Sequence, residues 1–186
     1  MHNTNTKVFN QDNFWTPFLE DISAARARII IQSPFLSPNR VNHLLEFLSS
    51  RVEANIVTCL FIQDPWSKNT SKGNENSELG SADKEDKKIR ETETLIKTMR
   101  SQGIHVNKRK GIHEKLAAID DKILWEGSLN ILSHSRSKER MRRWEDRDET
   151  NRAIALHNLD NCEECVGIYK ELTSKNSKST NLLNSK

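Results

Sequence analysis

Two runs of consecutive apolar residues constrain this chain more than any other feature. Ala27-Arg-Ile-Ile-Ile-Gln32 and Asn55-Ile-Val-Thr-Cys-Leu-Phe-Ile62 show no polar alternation, so each predicts a strand buried on both faces. Between them, Ser33-Pro-Phe-Leu-Ser-Pro38 breaks the first strand, and Asn39 to Val52 carries Val41, Leu44, Leu45, Phe47 and Leu48 at helical spacing. Strand, amphipathic helix and strand in that order predict a βαβ unit. The chain is therefore expected to be α/β, with a mixed, mostly parallel central sheet flanked by helices on both faces.

The remaining segments are fitted around that unit. Phe14, Trp15, Phe18, Leu19 and Ile22 predict a helix over residues 11–24, and a second helix is expected from Lys84 to Gln102, stopped by Gly103. Ile104 to Lys108 predicts a strand, and Gly111 to Asn130 a pair of short strands joined by a tight turn. Ile131 to Trp144 is expected to be a basic helix, Arg152 to Leu156 a strand, and Asp160 to Leu172 a last helix. Residues 1–172 are thus one domain, with a polar surface loop at 63–83 and a disordered tail at 173–186.

The totals identify no partner by themselves. A formal net charge of +3 on 186 residues is small, so only local clustering of charge is informative. No stretch approaches the length of a membrane span, and the polar start, MHNTNTKVFNQDN, lacks the apolar core of a signal peptide. A cytoplasmic protein with no stable membrane association is expected. Three cysteines do not make a disulfide framework. Cys162 and Cys165 have the spacing of half a zinc site, which His157 would extend to three ligands; two incidental cysteines on a helix are the simpler reading, and no metal or other cofactor is expected.

The chemistry lies in GIHEKLAAIDDKILWEGSLN, residues 111–130. Alternation along a strand points His113 and Lys115 the same way. A neutral imidazole is a usable nucleophile near neutral pH, and an adjacent ammonium attracts an anion, so the pair suits a phosphate. Gly127 permits close backbone approach, while Ser128 and Asn130 offer hydrogen bonds to phosphoryl oxygens.

His113-x-Lys115-x4-Asp120-x6-Gly127-Ser128-x-Asn130 resembles, at every position, the HxKxxxxDxxxxxxGSxN signature of the phospholipase D superfamily. More loosely the resemblance covers residues 10–157. Arg28 to Phe35 is similar to that superfamily's opening strand, and residues 146–156 to its acidic residue before a late strand. This alignment puts Glu149 in the place of the carboxylate that orients the histidine, with Glu145 and Glu139 as neighbouring alternatives. The resemblance implies a metal-independent phosphodiesterase. His113 would attack phosphorus and form a phosphohistidine, Lys115 and Asn130 would hold the phosphoryl oxygens with support from Ser128, and Asp120 would fix the motif through hydrogen bonds.

That mechanism needs a second imidazole to protonate the leaving oxygen. None of the other histidines has a lysine two residues later. The resemblance therefore implies a homodimer with one composite site across a two-fold axis, the competing arrangement being a monomer with half a site. Basic residues flank the motif: Lys108, Arg109 and Lys110 before it, and Arg136, Lys138, Arg140, Arg142, Arg143 and Arg147 after it. Clustered cations favour DNA or RNA as the phosphodiester. Short single-motif members that resemble this chain are mostly nucleases, and related modules are appended to helicases and restriction systems, which implies a partner of that kind. Two alternatives stay open: a nucleic-acid module that binds without cleaving, and a phospholipase or phosphatidyl transferase. Trp66 is the one candidate lipid anchor; its ring would equally stack on a base or pack against the domain edge.

Overall fold

The computed structural model describes residues 5–67, 80–133 and 137–162, with the backbone alone described at residues 5, 67 and 80–85. Seven strands form one sheet: β1 (Asn5–Asn10), β2 (Arg28–Gln32), β3 (Val57–Gln63), β4 (His105–Arg109), β5 (Lys115–Ile119), β6 (Ile123–Gly127) and β7 (Arg140–Glu145). Their order across the sheet is β1-β7-β6-β5-β2-β3-β4. Four helices accompany them among the described residues: α1 (Trp15–Ala24), α2 (Pro38–Glu53), α3 (Gly80–Ser101) and α4 (Arg147–Leu156).

The apolar runs that predicted central strands lie at the middle of this sheet. β2 is buried along its whole length and β3 along all but its last residue. They pair in parallel through the α2 crossover, and β3 pairs in parallel with β4 through α3. Alternation splits the apolar side chains between two cores. Ile29, Ile31, Leu60, Ile62, Ala117 and Trp125 face α1, α2 and α3. Ile30, Cys59, Phe61, Leu116 and Leu124 face Ala153 and Ile154 of α4. Each fully buried Leu, Ile or Phe in such a core stabilises the fold by about 1.5–3 kcal/mol. Helices cover both faces of a mixed sheet, as expected.

The sheet is not mostly parallel. β2–β5, β5–β6, β6–β7 and β1–β7 are antiparallel, so the parallel pairs are confined to the βαβαβ half. The reason is local. A tight turn joins β5 to β6, and so short a connection joins antiparallel neighbours only.

Two elements differ in kind from the sequence expectation. The segment expected as a basic helix contains β7. Arg and Glu are good helix formers, but the ladder to β6 and β1 satisfies the backbone here and overrides propensity. The segment expected as a strand is the C-terminal half of α4. Asp146 caps this helix by accepting a hydrogen bond from the Glu149 N–H at 3.0 Å, a start signal visible in the sequence as Asp-x-x-Glu. β1 was not anticipated, being short and polar. Gly103 does end α3, with φ +76° and the Ile104 N–H donating to Met99 O at 3.2 Å.

Cys59 is disulfide-bonded, which the low cysteine count did not suggest, and Cys162 is a buried free thiol. Cys165, the expected last helix beyond residue 162 and the tail at 173–186 lie outside the described residues, as does much of the polar loop. No helix among the described residues is long and apolar enough to cross a membrane.

Candidate active site

β5 and β6 position the motif as a hairpin with two functional ends. The turn end is Asp120-Asp121. Both residues have left-handed φ values, 54° and 53°, and the Lys122 N–H donates to Ile119 O at 3.1 Å, which makes a two-residue type I′ turn. The Asp120 carboxylate then accepts three backbone N–H groups at the entry to β2: Arg26 at 2.8 Å, Ala27 at 2.7 Å and Arg28 at 3.1 Å. Arg28 is buried beside it and donates to Asp160 at 2.6 Å and to Asp121. Burial works against this guanidinium's charge, yet Asp121 and Asp160 outweigh it and hold its pKa above the ordinary arginine value.

The open end carries the reactive groups. Lys115 pairs with Gly127 across the hairpin, and Gly127 with Met141 of β7. A Cβ on Gly127 would lie 2.0 Å from Arg140 O, so only glycine admits this strand contact. Ser128 continues it: its N–H donates to Arg140 O at 2.9 Å and its Oγ accepts the Arg140 N–H at 3.1 Å. His113 is exposed on the loop before β5. The Lys115 ammonium donates to His113 O at 2.6 Å and lies 3.4 Å from His113 Nδ1, which holds cation and imidazole side by side. Asn130 is half-buried, and its Oδ1 has no hydrogen-bond partner among the described residues. A buried acceptor left this way needs a donor such as water, and it is the Asn130 Nδ2–H₂ group that can donate to an anion.

A groove of about 610 Å³ opens on this end. It joins Lys115, Gly127 and Ser128 to Lys138, Arg140 and Arg142, and Glu114, Glu126 and His157 line it too. Three of the expected basic residues therefore line one channel. Alternation along β7 explains the pair on the strand, since Arg140 and Arg142 share a face.

The other basic residues have different employment. Arg143 faces the core side and grips Asp21 with two hydrogen bonds, 2.7 and 2.9 Å, and Asp21 also accepts the Trp125 Nε1–H at 2.8 Å. Arg109 donates to His157 O at 2.8 Å and to Asn158 O, capping the end of α4, and stacks over Phe61 at 4.0 Å. Lys108 is paired with Glu93 at 2.9 Å. Lys110 and Arg147 are exposed and outside the groove, while Arg136 lies outside the described residues.

Glu149 is not brought to this end. It sits in the first turn of α4, where Arg152 binds it. That turn starts beside the β5–β6 turn, since the Asp146 N–H donates to Lys122 O at 2.9 Å. Four strand residues, about 13 Å, separate that level from Lys115. Glu145 is also at the far level, opposite Ile123. Glu139 precedes Arg140 directly, at the open end, and alternation puts it on the face of Met141 and Ala117.

Sequence reasoning missed Glu114, Gln32 and the placement of His157. The Glu114 carboxylate accepts its neighbour's N–H at 3.2 Å and lies 3.5 Å from Gln32 Nε2. Its own N–H and that of His113 hold it below the usual carboxylate range, helped by the rings of His157 and His113. The cap at Asp146 was the signal for His157: a helix started there returns residue 157 to the open end. Among the described residues no three His, Cys, Asp or Glu side chains are clustered to hold a metal ion.

Residues 18–156 match the family model described as "Cardiolipin synthase, PLD-like domain", three quarters of the chain. The protein belongs to this phospholipase D-like family. It is thus a member of the phosphodiesterase superfamily whose signature it carries. Among solved structures it is similar to Nuc of Salmonella typhimurium, a phospholipase D family member, with TM-score 0.59 and 13% identity over 84% of this chain and 93% of that one. NucT from Helicobacter pylori gives TM-score 0.56 and 17% identity over 83% and 94% of the two chains. The phosphatidylserine synthase of Haemophilus influenzae Rd KW20 gives 0.61 and 11% over 97% of this chain but 47% of that one. At these identities the likeness is one of fold. Among curated proteins nothing matches the chain.

Proposed function

We propose that this phospholipase D-like protein is a nuclease, cleaving DNA or RNA through a phosphohistidine without a metal ion. The observation that carries the reading is the groove in which the Lys115 and Ser128 site continues into Lys138, Arg140 and Arg142. Glu114 and Glu126 line the same groove, yet the four cations outnumber them, which suits a polymer with a charge on every residue better than a lipid with one headgroup. The near full-length fold match to Nuc, in a chain with one motif, supports the same reading.

The chemistry runs as follows. Nε2 of His113 forms a bond to phosphorus, and the bond from phosphorus to the leaving oxygen breaks. That oxygen takes the proton of a second imidazolium, His113 of a second copy of the chain. The second imidazole, now neutral, takes a proton from water as the water oxygen attacks phosphorus and the N–P bond breaks. Both histidines return to their starting states. Lys115 offsets the phosphoryl charge, and Asn130 and Ser128 stand beside it. For Nε2 to be the nucleophile, Nδ1 must hold a proton that a carboxylate accepts, so the Lys115 ammonium must turn from Nδ1 to the phosphate; Glu139, on the same face at the open end, is our candidate for that carboxylate in place of Glu149. Exposure of His113 leaves it accessible to a facing copy.

The test is cleavage of DNA and RNA in excess EDTA, beside His113→Ala, with the oligomer sized on the same preparation. Cleavage that resists EDTA, requires His113 and belongs to a dimer is expected. Activity lost to the chelator, or retained by His113→Ala, sinks the proposal. Hydrolysis of phospholipid vesicles with no nucleic acid cleaved would favour a lipid enzyme.

A further inference from the structure

We propose that Phe35 and Trp66 form a base-stacking subsite beside the catalytic phosphate, and that the substrate is a single-stranded nucleic acid. This rests on the nuclease reading and adds the substrate class to it. The two rings are 45% and 66% exposed, whereas Phe14, Phe18, Phe61 and Trp125 are fully buried. They stand at equivalent places, each three residues beyond the end of a strand, on neighbouring parallel strands β2 and β3. Phe35 lines a small cleft of about 60 Å³ together with Pro34, Pro65 and Ile89 of α3, and Trp66 follows directly after Pro65. It is narrow and mostly apolar, which suits the face of one flat ring.

The Trp66 indole is held in place. Its Nε1–H donates to Glu93 at 3.3 Å and its backbone N–H to Asp64 Oδ1 at 3.1 Å. An exposed ring fixed at its edge presents its face without further ordering cost, which is what a stacking platform needs.

Continuity with the reactive end comes through Gln63. Its side chain lines the cleft, and its Oε1 accepts the Ile112 N–H at 3.1 Å, one residue before His113. Neighbouring nucleotides in a strand would therefore place a phosphate at His113 and a base against the rings. Charge continues on the far side. The Lys88 ammonium lies 5.9 Å from the Phe35 ring, and a second groove, of about 370 Å³, shares Lys88 with the cleft and adds Lys87. Cation, aromatic platform and cation in sequence match the alternation of phosphate and base. A duplex hides the faces of its bases within the stack, so rings placed this way engage only an unpaired strand. A lipid surface would need a broader apolar face than two rings beside a narrow cleft whose lining includes Lys88 and Asp64.

The full chain is assayed on a single-stranded oligonucleotide, its blunt duplex, and an abasic deoxyribosyl phosphodiester dimer, a small diester with neither base nor aromatic ring. Phe35→Ala and Trp66→Ala should each lower kcat/KM on the single strand by about 5- to 100-fold. They should leave the small diester unchanged, and Phe35→Tyr and Trp66→Phe should restore most of the loss. The wild type should prefer the single strand to the duplex. Equal cleavage of both strands' forms, alanine variants as active as wild type, or an equal loss on the small diester overturns the subsite. So does a Trp66→Ala protein that keeps DNA cleavage but no longer sediments with phosphatidylglycerol vesicles. Failure of the nuclease reading is distinct: the wild type would then hydrolyse the small diester and leave every nucleic acid intact.

Discussion

Substituting Asp120 separates scaffolding from chemistry within one signature. Its carboxylate accepts three backbone N–H groups at 2.7–3.1 Å, and its own N–H donates to Arg28 O at 2.9 Å. Hydrogen bonds to a charged acceptor contribute about 1.5–3 kcal/mol each, but three sharing one carboxylate are not additive, and Arg26 is exposed enough to rehydrate. Removing the acceptor with Asp120→Ala leaves the Ala27 and Arg28 donors part-buried and puts alanine at φ 54°, where Asp is better tolerated. A loss of about 3–4 kcal/mol follows, or a fall in Tm of roughly 6–16 °C for a chain of this size. Asp120→Asn keeps the turn and one good acceptor oxygen, and should lose about half as much. Lys115 is five strand residues away, about 16 Å, so kcat at 20 °C, well below either midpoint, should stay within a few-fold of wild type. Thermal unfolding followed by circular dichroism, paired with the phosphodiesterase assay, reads both quantities. A variant with wild-type Tm and abolished kcat would refute the argument and put Asp120 in the reaction.

Three further outcomes follow from the geometry. Gly127→Ala sets a Cβ against Arg140 O, a backbone atom that cannot swing away, so it should cost at least about 3 kcal/mol in a denaturant titration and lose activity with the β6–β7 contact. Glu139→Gln should lower kcat by roughly 100-fold or more, whereas Glu149→Gln should change kcat little and stability by no more than about 0.5 kcal/mol; steady-state kinetics on both decides between the two carboxylates. Glu114 has a depressed folded pKa, so its contribution is present above the unfolded value near 4.5 and is lost as pH falls through the lower folded one. Glu114→Gln should therefore match wild-type stability more closely at pH 3 than at pH 7, and a constant gap across pH-dependent melts would contradict this.

What the sequence made legible divides along the sheet. β2, β3 and β5 are buried strands marked by apolar runs, β6 is buried at Leu124 and Trp125, and α1, α2 and α3 keep helical spacing on one face. The motif residues were legible because the hairpin that carries them is short: offsets along β5 and β6 become distances almost directly. β7 was opaque for a physical reason. Only Met141 of its first four residues enters the core, and the others are cations exposed to the groove or paired with Asp21, so no apolar period marks the strand. The same opacity displaced the carboxylate. With β7 taken as helix and α4 as strand, Glu149 stands just before a strand; with the elements as they are, Glu139 does. One error of element type thus moved an acid from one end of the sheet to the other. Arg109 and Arg143 follow the same logic at the surface, because a guanidinium that caps a helix or grips a carboxylate is indistinguishable in sequence from one aimed at a phosphate. Charge clusters in a chain of this kind therefore overstate the binding surface. What identifies the usable cations is strand alternation at the open end of β7, which leaves Arg140 and Arg142 in the groove with Lys138, whereas Lys115 reaches its edge from the face of Ala117.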